Sequence, residues 1–364
     1  MKSRNLLFLS LLAWASTASG QYKTALPEYR FEFPRDHFNH EEFQTEWWYT
    51  TGNVDSGDGH KYGFELTFFR QGVDRGPDKA ASWDLRDLYL AHLALSDLDG
   101  GKFYYTERLN RGGPGIAGAD KTRKKIWNGN WELRWNSDDQ LQLIATDGQF
   151  SLELTLVPQK PPVIQGENGV SRKSASVGQA SHYISFTRLK TTGTITRNEK
   201  NLQVNGTSWM DHEFFTRQLG DDQVGWDWLG VQLDDNSELM LYQFRRKDGS
   251  VDSFSSGTFV DGQGRSVHLP SADFHLFPSG GTWTSSVTSA RYPIAWTMEV
   301  PKLGLKLQAS TRLKSQELAG NRRLAPNYWE GAITVQGTRN GATVRGVGYL
   351  EMTGYDRAVE LGPQ

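Results

Sequence analysis

The sequence predicts an all-β fold of sandwich or barrel type, divided into two units. Short stretches in which apolar and polar residues alternate recur along the chain after residue 21, whereas patterns with the period of a helix are scarce. Turn-forming pairs such as Asp147-Gly148 and Asn340-Gly341 separate these stretches. Regularly spaced short strands joined by hairpin turns are typical of β-sandwiches and β-barrels.

Length and composition limit the classes of function. The chain has 364 residues, which is enough for two domains that each bury a core. Its 40 basic and 42 acidic side chains give a formal charge of −2, so we expect no nucleic-acid partner. The absence of cysteine excludes thiol nucleophiles, disulfides and cysteine-based metal sites. The sequence predicts no cofactor and leaves Asp, Glu, His, Tyr and Ser as its reactive groups.

The first twenty residues have the features of a secretory signal peptide. Lys2 and Arg4 precede an apolar run over residues 6–14, and the small residues 18–20 form a cleavage site before Gln21. The alternative is an uncleaved anchor, but nine apolar residues are far fewer than the roughly 20 that span a bilayer. We expect a secreted or periplasmic protein without a membrane span.

Alternating patterns and turn signals predict sixteen strands in order along the chain. Those of the first half are 62–70, 88–96, 103–108, 131–135, 141–145, 151–157, 183–188 and 193–197. Those of the second half are 202–204, 228–233, 239–245, 257–260, 296–300, 306–311, 329–336 and 343–352.

An internal similarity suggests that the chain contains a duplicated β unit. Residues 46–52 lead through a polar turn into 62–70, and residues 226–231 lead through a similar turn into 238–245. Both copies carry paired indoles, a small residue, and a strand rich in aromatic residues that ends in Arg. The polar run 198–201 predicts the boundary, with domains at 21–200 and 201–364.

The densest group of titratable and aromatic residues lies at 209–215. In an extended segment Asp211 and Glu213 share one face and His212 takes the other. A carboxyl group walled by Trp209 and Phe214 loses water, so its pKa rises and it can donate a proton near neutral pH. The alternative is a buried hydrogen-bonded network that fixes the junction between the domains.

Other candidate residues lie on the first unit. Glu46, Trp48 and Tyr49 belong to a segment with two adjacent indoles, which cannot both face one core on a strand, so one is expected to line a cavity or an interface. His92 lies on a nearly apolar strand, where a satisfied core histidine is the alternative. Residues 37–42 hold two His and two Glu but lack a His-x-x-x-His helix, so no metal site is predicted.

Familiar catalytic motifs are absent. Residues 113–118 match the dinucleotide fingerprint formally, but a basic run at 121–125 and a turn follow where the motif needs a helix. No Gly-x-Ser-x-Gly elbow, Walker loop or His-Glu-x-x-His occurs. Serine hydrolases, P-loop nucleotide hydrolases and zincins are therefore excluded.

Several motifs resemble, in order, those of the lipocalin-like family that includes carotenoid 1,2-hydratase and secreted attachment-type (AttH-like) proteins. They are found at 46–52, 111–119, 127–131, 165–173, 209–214, 225–228 and 346–355, so the resemblance covers nearly the whole mature chain. It implies two lipocalin-like antiparallel β-barrel domains packed side by side. It also implies long apolar ligands, because the family includes hydratases of isoprenoid double bonds and fungal pericyclases.

The resemblance also suggests site residues. The carotenoid hydratase pattern has a His and a Trp two residues apart, then a Tyr and an Asp two apart on a later strand. Here His212 and Tyr242 match, whereas Phe214 stands in the Trp position and Phe244 in the Asp position. A hydratase must protonate an alkene and stabilise a carbocation, so we expect Asp211 or Glu213 to supply the proton.

The sequence leaves three functions open, two with an apolar small molecule as partner and one with a macromolecule. The first is a hydratase, the second a non-catalytic carrier of an apolar ligand, and the third an envelope or attachment protein. The expected catalytic residues are Asp211, His212, Glu213 and Tyr242. The expected ligand-binding residues are Glu46, Trp48, Tyr49, His92, Trp209, Phe214, Trp226, Asp227 and Trp228.

Overall fold

The computed structural model of the chain describes residues 22–73, 85–320 and 326–359. Within these ranges the regular structure consists of strands and three short 3-10 turns, at Arg35–His37, Ser271–Asp273 and Pro301–Leu303. No helix in this part of the chain is long and apolar enough to cross a membrane. The predicted signal peptide at residues 1–20 lies outside the described residues.

The first sheet is a nearly closed barrel of antiparallel strands. Its order is β4-β3-β2-β1-β13-β12-β9-β8-β7-β6-β5, with β10 and β11 added on β12. The side chain of Asn110 on β4 donates a 2.6 Å hydrogen bond to Asn128 on β6, which brings the far edges of the sheet together. The strands are β1 (Thr45–Ser56), β2 (Lys61–Gly72), β3 (Asp87–Asp97), β4 (Lys102–Arg111), β5 (Ala117–Asp120), β6 (Lys125–Asn128), β7 (Trp131–Ser137), β8 (Gln140–Thr146), β9 (Phe150–Pro158), β10 (Val163–Ile164), β11 (Ser171–Arg172), β12 (Ala180–Arg197) and β13 (Lys200–Phe215).

Side chains fill the interior of this barrel. Alternate residues of each strand point inward, and Trp48, Phe64, Phe68, Leu93 and Trp131 are each at most 1 % exposed there. Phe38, from the segment before β1, packs on the same core and covers it. The first barrel is therefore a packed core, not a container for a ligand.

The second sheet is an open half-barrel. Its order is β17-β16-β15-β14-β25-β24-β22-β21-β18, with β23 added on β24, and β19 and β20 form a separate ribbon. The strands are β14 (Gln223–Leu233), β15 (Glu238–Arg246), β16 (Ser256–Val260), β17 (Ser266–Pro270), β18 (His275–Pro278), β19 (Thr282–Thr284), β20 (Arg291–Pro293), β21 (Ala295–Val300), β22 (Leu305–Ser310), β23 (Glu317–Leu318), β24 (Tyr328–Arg339) and β25 (Ala342–Thr353).

The two sheets repeat one pairing scheme. In each, the first strand pairs with the second and with the last: β1 with β2 and β13, and β14 with β15 and β25. The similar segments found in the sequence are these two leading hairpins. The predicted all-β fold with two barrel domains is confirmed, and the second domain is a half-barrel.

The change from one sheet to the other falls later in the chain than predicted. The polar run 198–201 is the turn between β12 and β13, where Asn198 and Glu199 have positive φ angles of 48° and 61°. Strand β13 still pairs with β1 and β12, so residues 201–215 belong to the first sheet. Exposed polar turns also occur inside domains, so a polar run does not by itself mark a domain boundary. The connection between the two sheets runs through residues 216–222.

Candidate functional site

A cavity of about 140 Å³ lies between the two sheets. It holds roughly ten times the space that one buried water needs. The first sheet lines it with Trp47, Tyr49, Thr67, Phe69, Leu90, Tyr183, Asp211 and Glu213, and the second with Trp226, Trp228, Tyr242, Phe244, Tyr328 and Glu351. A cavity at a domain interface, mostly apolar with a few convergent polar groups, has the features of a small-molecule site.

Strand alternation explains which indoles reach the cavity. On β1, Trp47 and Tyr49 face it, whereas Trp48 between them points into the core of the first barrel. On β14, Trp226 and Trp228 are two residues apart and both face it. The expectation that one of two adjacent indoles lines a cavity thus applies to Trp47, not to Trp48.

Asp211 faces the cavity and is held in place by three donors. Its carboxylate accepts hydrogen bonds from the hydroxyls of Tyr183 and Ser185, both at 2.5 Å, and from Nε1 of Trp209 at 2.6 Å. Burial raises the pKa of Asp211 to about 7, although the three hydrogen bonds favour the ionised form. Trp209 itself does not line the cavity; it orients this carboxylate.

Glu213 lies two residues further along the same face. Its carboxylate accepts a short hydrogen bond from Ser181 and lies 3.4 Å from Nζ of Lys173. The Lys173 ammonium also stands over the ring of Tyr242, 4.3 Å from the ring centre. Burial opposes the charge of Lys173, yet the Glu213 carboxylate raises its pKa overall. The Tyr242 hydroxyl is 3.0 Å from the Ser171 hydroxyl, so this end of the cavity is a connected polar network.

Glu351 on β25 is a further acid in the cavity, one that the sequence analysis did not select. It lies directly opposite Trp228 on β14 and Glu330 on β24. Nε1 of Trp226 donates a 3.0 Å hydrogen bond to its carboxyl. Burial raises the pKa of Glu351 to about 8; the Trp226 hydrogen bond opposes the shift, and the charge of Glu65 adds to it. Glu351 therefore keeps its proton at neutral pH.

Two more acids lie close behind Glu351. Glu330 accepts a 2.7 Å hydrogen bond from Tyr49, and burial together with Glu65 and Glu351 raises its pKa well above the ordinary range. Glu65 accepts hydrogen bonds from Tyr328 at 2.9 Å and from a threonine on the same strand, and burial raises its pKa to about 7. Glu330 and Glu351 are direct neighbours on adjacent strands, where like charges repel, so this repulsion adds to burial in keeping the proton on Glu330.

Four of the predicted residues lie on the opposite face of the same strands. The ring of His212 lies 2.9 Å from Oε1 of Glu46 and is stacked on Trp48, and Phe214 stacks on His40 with ring centres 3.6 Å apart. None of the four lines the cavity, because on β13 the even-numbered residues point away from Asp211 and Glu213. The donor atoms of His40, Glu46 and His212 lie within 4.8 Å of one another, so this group has the composition of a cation site.

Asp227 and His92 also lie away from the cavity. Asp227 is bound by Arg245 at 3.1 Å, Gln243 and Tyr355; burial raises its pKa although Arg245 opposes this. Nδ1 of His92 is 2.6 Å from the hydroxyl of Tyr328, and burial lowers the pKa of His92 to about 3. His92 thus does not line the cavity itself but is hydrogen-bonded to Tyr328, which does.

Sequence reasoning missed the acids of the second sheet. Glu351 lies in an apolar strand, within Gly348-Tyr349-Leu350-Glu351-Met352, and Glu330 follows Tyr328-Trp329. An acid framed by apolar residues in a predicted strand is the signal that singled out 209–215, and it was present at both positions. Lys173 and Tyr183 gave no such signal, because no local pattern predicts that β12 and the segment after β11 meet the second sheet.

The fold and the cavity define a protein of two side-by-side lipocalin-like barrels with an acid-lined pocket between them. Residues 24–355 match the AttH-like family, and the chain belongs to that family, as the resemblance of its motifs predicted.

Comparisons with individual proteins agree with this assignment. The crystal structure of an AttH protein from Nitrosomonas europaea is similar with 32 % identity and a TM-score of 0.81, over 92 % of this chain and 99 % of that one. Kievitone hydratase from Nectria haematococca shares the fold at 15 % identity, with a TM-score of 0.71 over 93 % and 97 % of the two chains. Dehydratase asqC of Emericella nidulans is 20 % identical over 282 residues, which are 74 % of this chain and 77 % of that protein.

Proposed function

We propose that the protein is a hydro-lyase that adds water to, or removes it from, an apolar unsaturated small molecule bound between the two sheets. The observation that carries the proposal is Glu351, a carboxyl that holds its proton at neutral pH and opens onto an aromatic cavity. The names of two relatives, a hydratase and a dehydratase, support the same class of reaction.

Glu351 is the proton donor in this proposal. The sequence analysis favoured Asp211 or Glu213, but Asp211 accepts three hydrogen bonds that stabilise its ionised form, and Glu213 is engaged by the Lys173 ammonium at 3.4 Å. Glu351 accepts one hydrogen bond from an indole, and its raised pKa keeps it protonated at neutral pH, as a proton donor must be. General acids of this kind work best when their pKa lies near the working pH.

The aromatic walls suit the cation that protonation creates. Transfer of the Glu351 proton to one alkene carbon leaves a carbocation at the other carbon and a carboxylate at Glu351. The indole rings of Trp226 and Trp228 line the same space, and aromatic rings of this kind stabilise positive charge. An apolar alkene of isoprenoid type, whose more substituted carbon carries the charge, fits this lining.

Water then completes the addition. The oxygen of a water held by the carboxylates of Asp211 and Glu213 forms the bond to the cationic carbon. The proton that this water loses returns to the Glu351 carboxylate, so the enzyme is restored and one water is added overall. In reverse, Glu351 protonates the leaving hydroxyl, and Asp211 and Glu213 receive the departing water. The Glu351 carboxylate then takes a proton from the carbon next to the cation, which forms the double bond and restores the acid.

A non-catalytic carrier is the second candidate, and the apolar aromatic lining of the cavity favours it. Oxygen-18 water separates the two functions: the protein is incubated with a panel of prenylated and linear isoprenoid alkenes, and products are analysed by mass spectrometry. We expect a product heavier by one labelled water with the wild type and none with Glu351→Gln. The matched control is Glu153→Gln, at an exposed position on β9.

Each outcome of this experiment has a defined meaning. A ligand that is retained unchanged by both wild type and Glu351→Gln identifies a carrier and ends the enzyme proposal. Hydration that continues in Glu351→Gln at the wild-type rate removes Glu351 as the acid.

The proposed place of action is the periplasm or the outside of the cell. This proposal rests on the signal-like residues 1–20. Amino-terminal sequencing of the protein exported by its host should begin at Gln21, whereas a chain that retains Met1 in the cytoplasm would contradict it.

A further inference from the structure

Three buried donors from separate parts of the chain meet on the side of β1 and β13 that faces away from the cavity. They are Nδ1 of His40, in the segment before β1, Oε1 of Glu46 on β1, and Nε2 of His212 on β13. All three side chains are at most 5 % exposed. Oε1 of Glu46 lies 2.8 Å from the nitrogen of His40 and 2.9 Å from that of His212.

The second nitrogen of each imidazole already has a hydrogen-bond partner. Nε2 of His40 lies 3.1 Å from Oδ1 of Asp36, and Nδ1 of His212 lies 3.1 Å from the backbone oxygen of the same Asp36. These oxygens can only accept, so each ring donates its N–H there and turns its other nitrogen toward Glu46. Metal-binding histidines are oriented in this way, with one N–H on a carboxylate or a backbone carbonyl.

The remaining oxygen of Glu46 is fixed as well. Oε2 accepts hydrogen bonds of 3.0 Å from Nε of Arg70 and from the backbone N–H of His40. The two remaining imidazole nitrogens therefore converge on the single oxygen Oε1. A divalent cation placed among these three atoms would be bound by all of them at once.

We propose that His40, Glu46 and His212 bind a zinc ion through Nδ1, Oε1 and Nε2. Two imidazoles and a carboxylate form a donor set that Zn²⁺ commonly takes, with a water in the fourth position. Bonds of about 2.0–2.1 Å in a tetrahedron separate donors by roughly 3.3 Å, so the cluster needs to open by about half an ångström. The competing explanation is a proton-linked network of the same residues without metal.

The position of the ion gives it a structural role. It ties the segment that carries His40 and Phe38, which covers the first barrel, to β1 and β13. Asp211 and Glu213 project from β13 to the other side, so the site is separate from the cavity and does not depend on the proposed hydro-lyase activity.

The test begins with metal analysis of the full-length, tag-free protein, stripped with a chelator and then dialysed against zinc. We expect about one zinc per chain in the wild type and background levels in His40→Gln and His212→Gln. The control is His37→Gln, a buried histidine of the same segment that stacks on Trp135 and is not a member of the donor group. Zinc, unlike magnesium, should raise the melting temperature of the stripped wild type by several degrees.

A second measurement keeps the proposal testable if the variants do not fold. Cobalt added to stripped wild-type protein should produce the visible absorption bands of a tetrahedral site, and zinc should displace them. Wild-type protein that binds neither metal at a single tight site, with a melting temperature indifferent to zinc, overturns the proposal in favour of the proton-linked network.

Discussion

The Tyr49 hydroxyl on β1 donates a 2.7 Å hydrogen bond to Oε1 of Glu330 on β24, across the interface between the two sheets. Both groups are buried, and burial raises the pKa of each well above its ordinary range. Asn53 strengthens the same interface with a 3.1 Å hydrogen bond from its side chain to the backbone oxygen of Gly348. Packing between the sheets and the acidity of the cavity therefore depend on the same residues.

The first prediction concerns this hydrogen bond. Tyr49→Phe removes the donor and leaves a buried carboxyl oxygen unsatisfied, so the free energy of unfolding should fall by about 1–3 kcal/mol. Urea denaturation measures the change. A double-mutant cycle with Glu330→Met, which has no carboxyl oxygen to accept the bond, is the control: the two substitutions should be coupled by more than about 0.5 kcal/mol, and strict additivity would show that the contact contributes nothing.

The second prediction concerns stability and pH. The pKa of Glu351 is about 8 in the folded protein, against an ordinary value of 4.5. Between these values the folded state keeps a proton that the unfolded state releases, so this group makes the protein less stable as pH rises, by up to about 1.4 kcal/mol per pH unit. Glu351→Gln should therefore gain stability over wild type as pH rises from about 5 to about 8, with no further gain above that.

Urea denaturation at several pH values measures this difference, and Glu153→Gln on the surface of β9 is the control. The control should track the wild type at every pH. A difference between Glu351→Gln and wild type that stays constant with pH would mean that Glu351 titrates normally in the folded protein.

The third prediction concerns the pH dependence of the hydration rate. If Glu351 is the proton donor, kcat/KM for hydration should fall about tenfold per pH unit above pH 8, because the group loses its proton there. Stopped assays of product formation across pH measure the profile. Trp226→Phe removes the indole N–H that stabilises the Glu351 carboxylate, so the fall in kcat/KM should begin at a higher pH in this variant. A fall that begins at the same pH in Trp226→Phe and wild type would assign the titration to another group.

Strand alternation made part of the site predictable from the sequence. The period of two placed Asp211 and Glu213 on one face of β13 and His212 on the other, as the structure has them. The similar segments likewise predicted a duplicated β unit, and the structure shows that the two copies share one pairing scheme. These are local properties that a single strand or hairpin carries in its own residues.

The second wall of the cavity was not predictable in this way. Glu351 and Trp228 are 123 residues apart in number and become neighbours only through the pairing of β14 with β25. That the cavity lies between the sheets depends on how the barrel of the first domain is filled, with Trp48 and Phe64 occupying its interior. Both features depend on packing between elements that are far apart in the sequence, so no local sequence pattern predicts them.

The fourth prediction concerns Gly63, where the two sheets approach each other closely. A methyl group at this position would lie 2.6 Å from the hydroxyl oxygen of Tyr349 and 2.7 Å from Cβ of Ala332, both on the second sheet. Gly63→Ala should force the sheets apart, lower the free energy of unfolding by about 1–3 kcal/mol and weaken ligand retention. Urea denaturation and ligand binding measure the two effects. Gly57→Ala, in the β1–β2 turn with open space around it, is the control and should leave both unchanged; equal behaviour of the two variants would show that the sheets tolerate the extra methyl group.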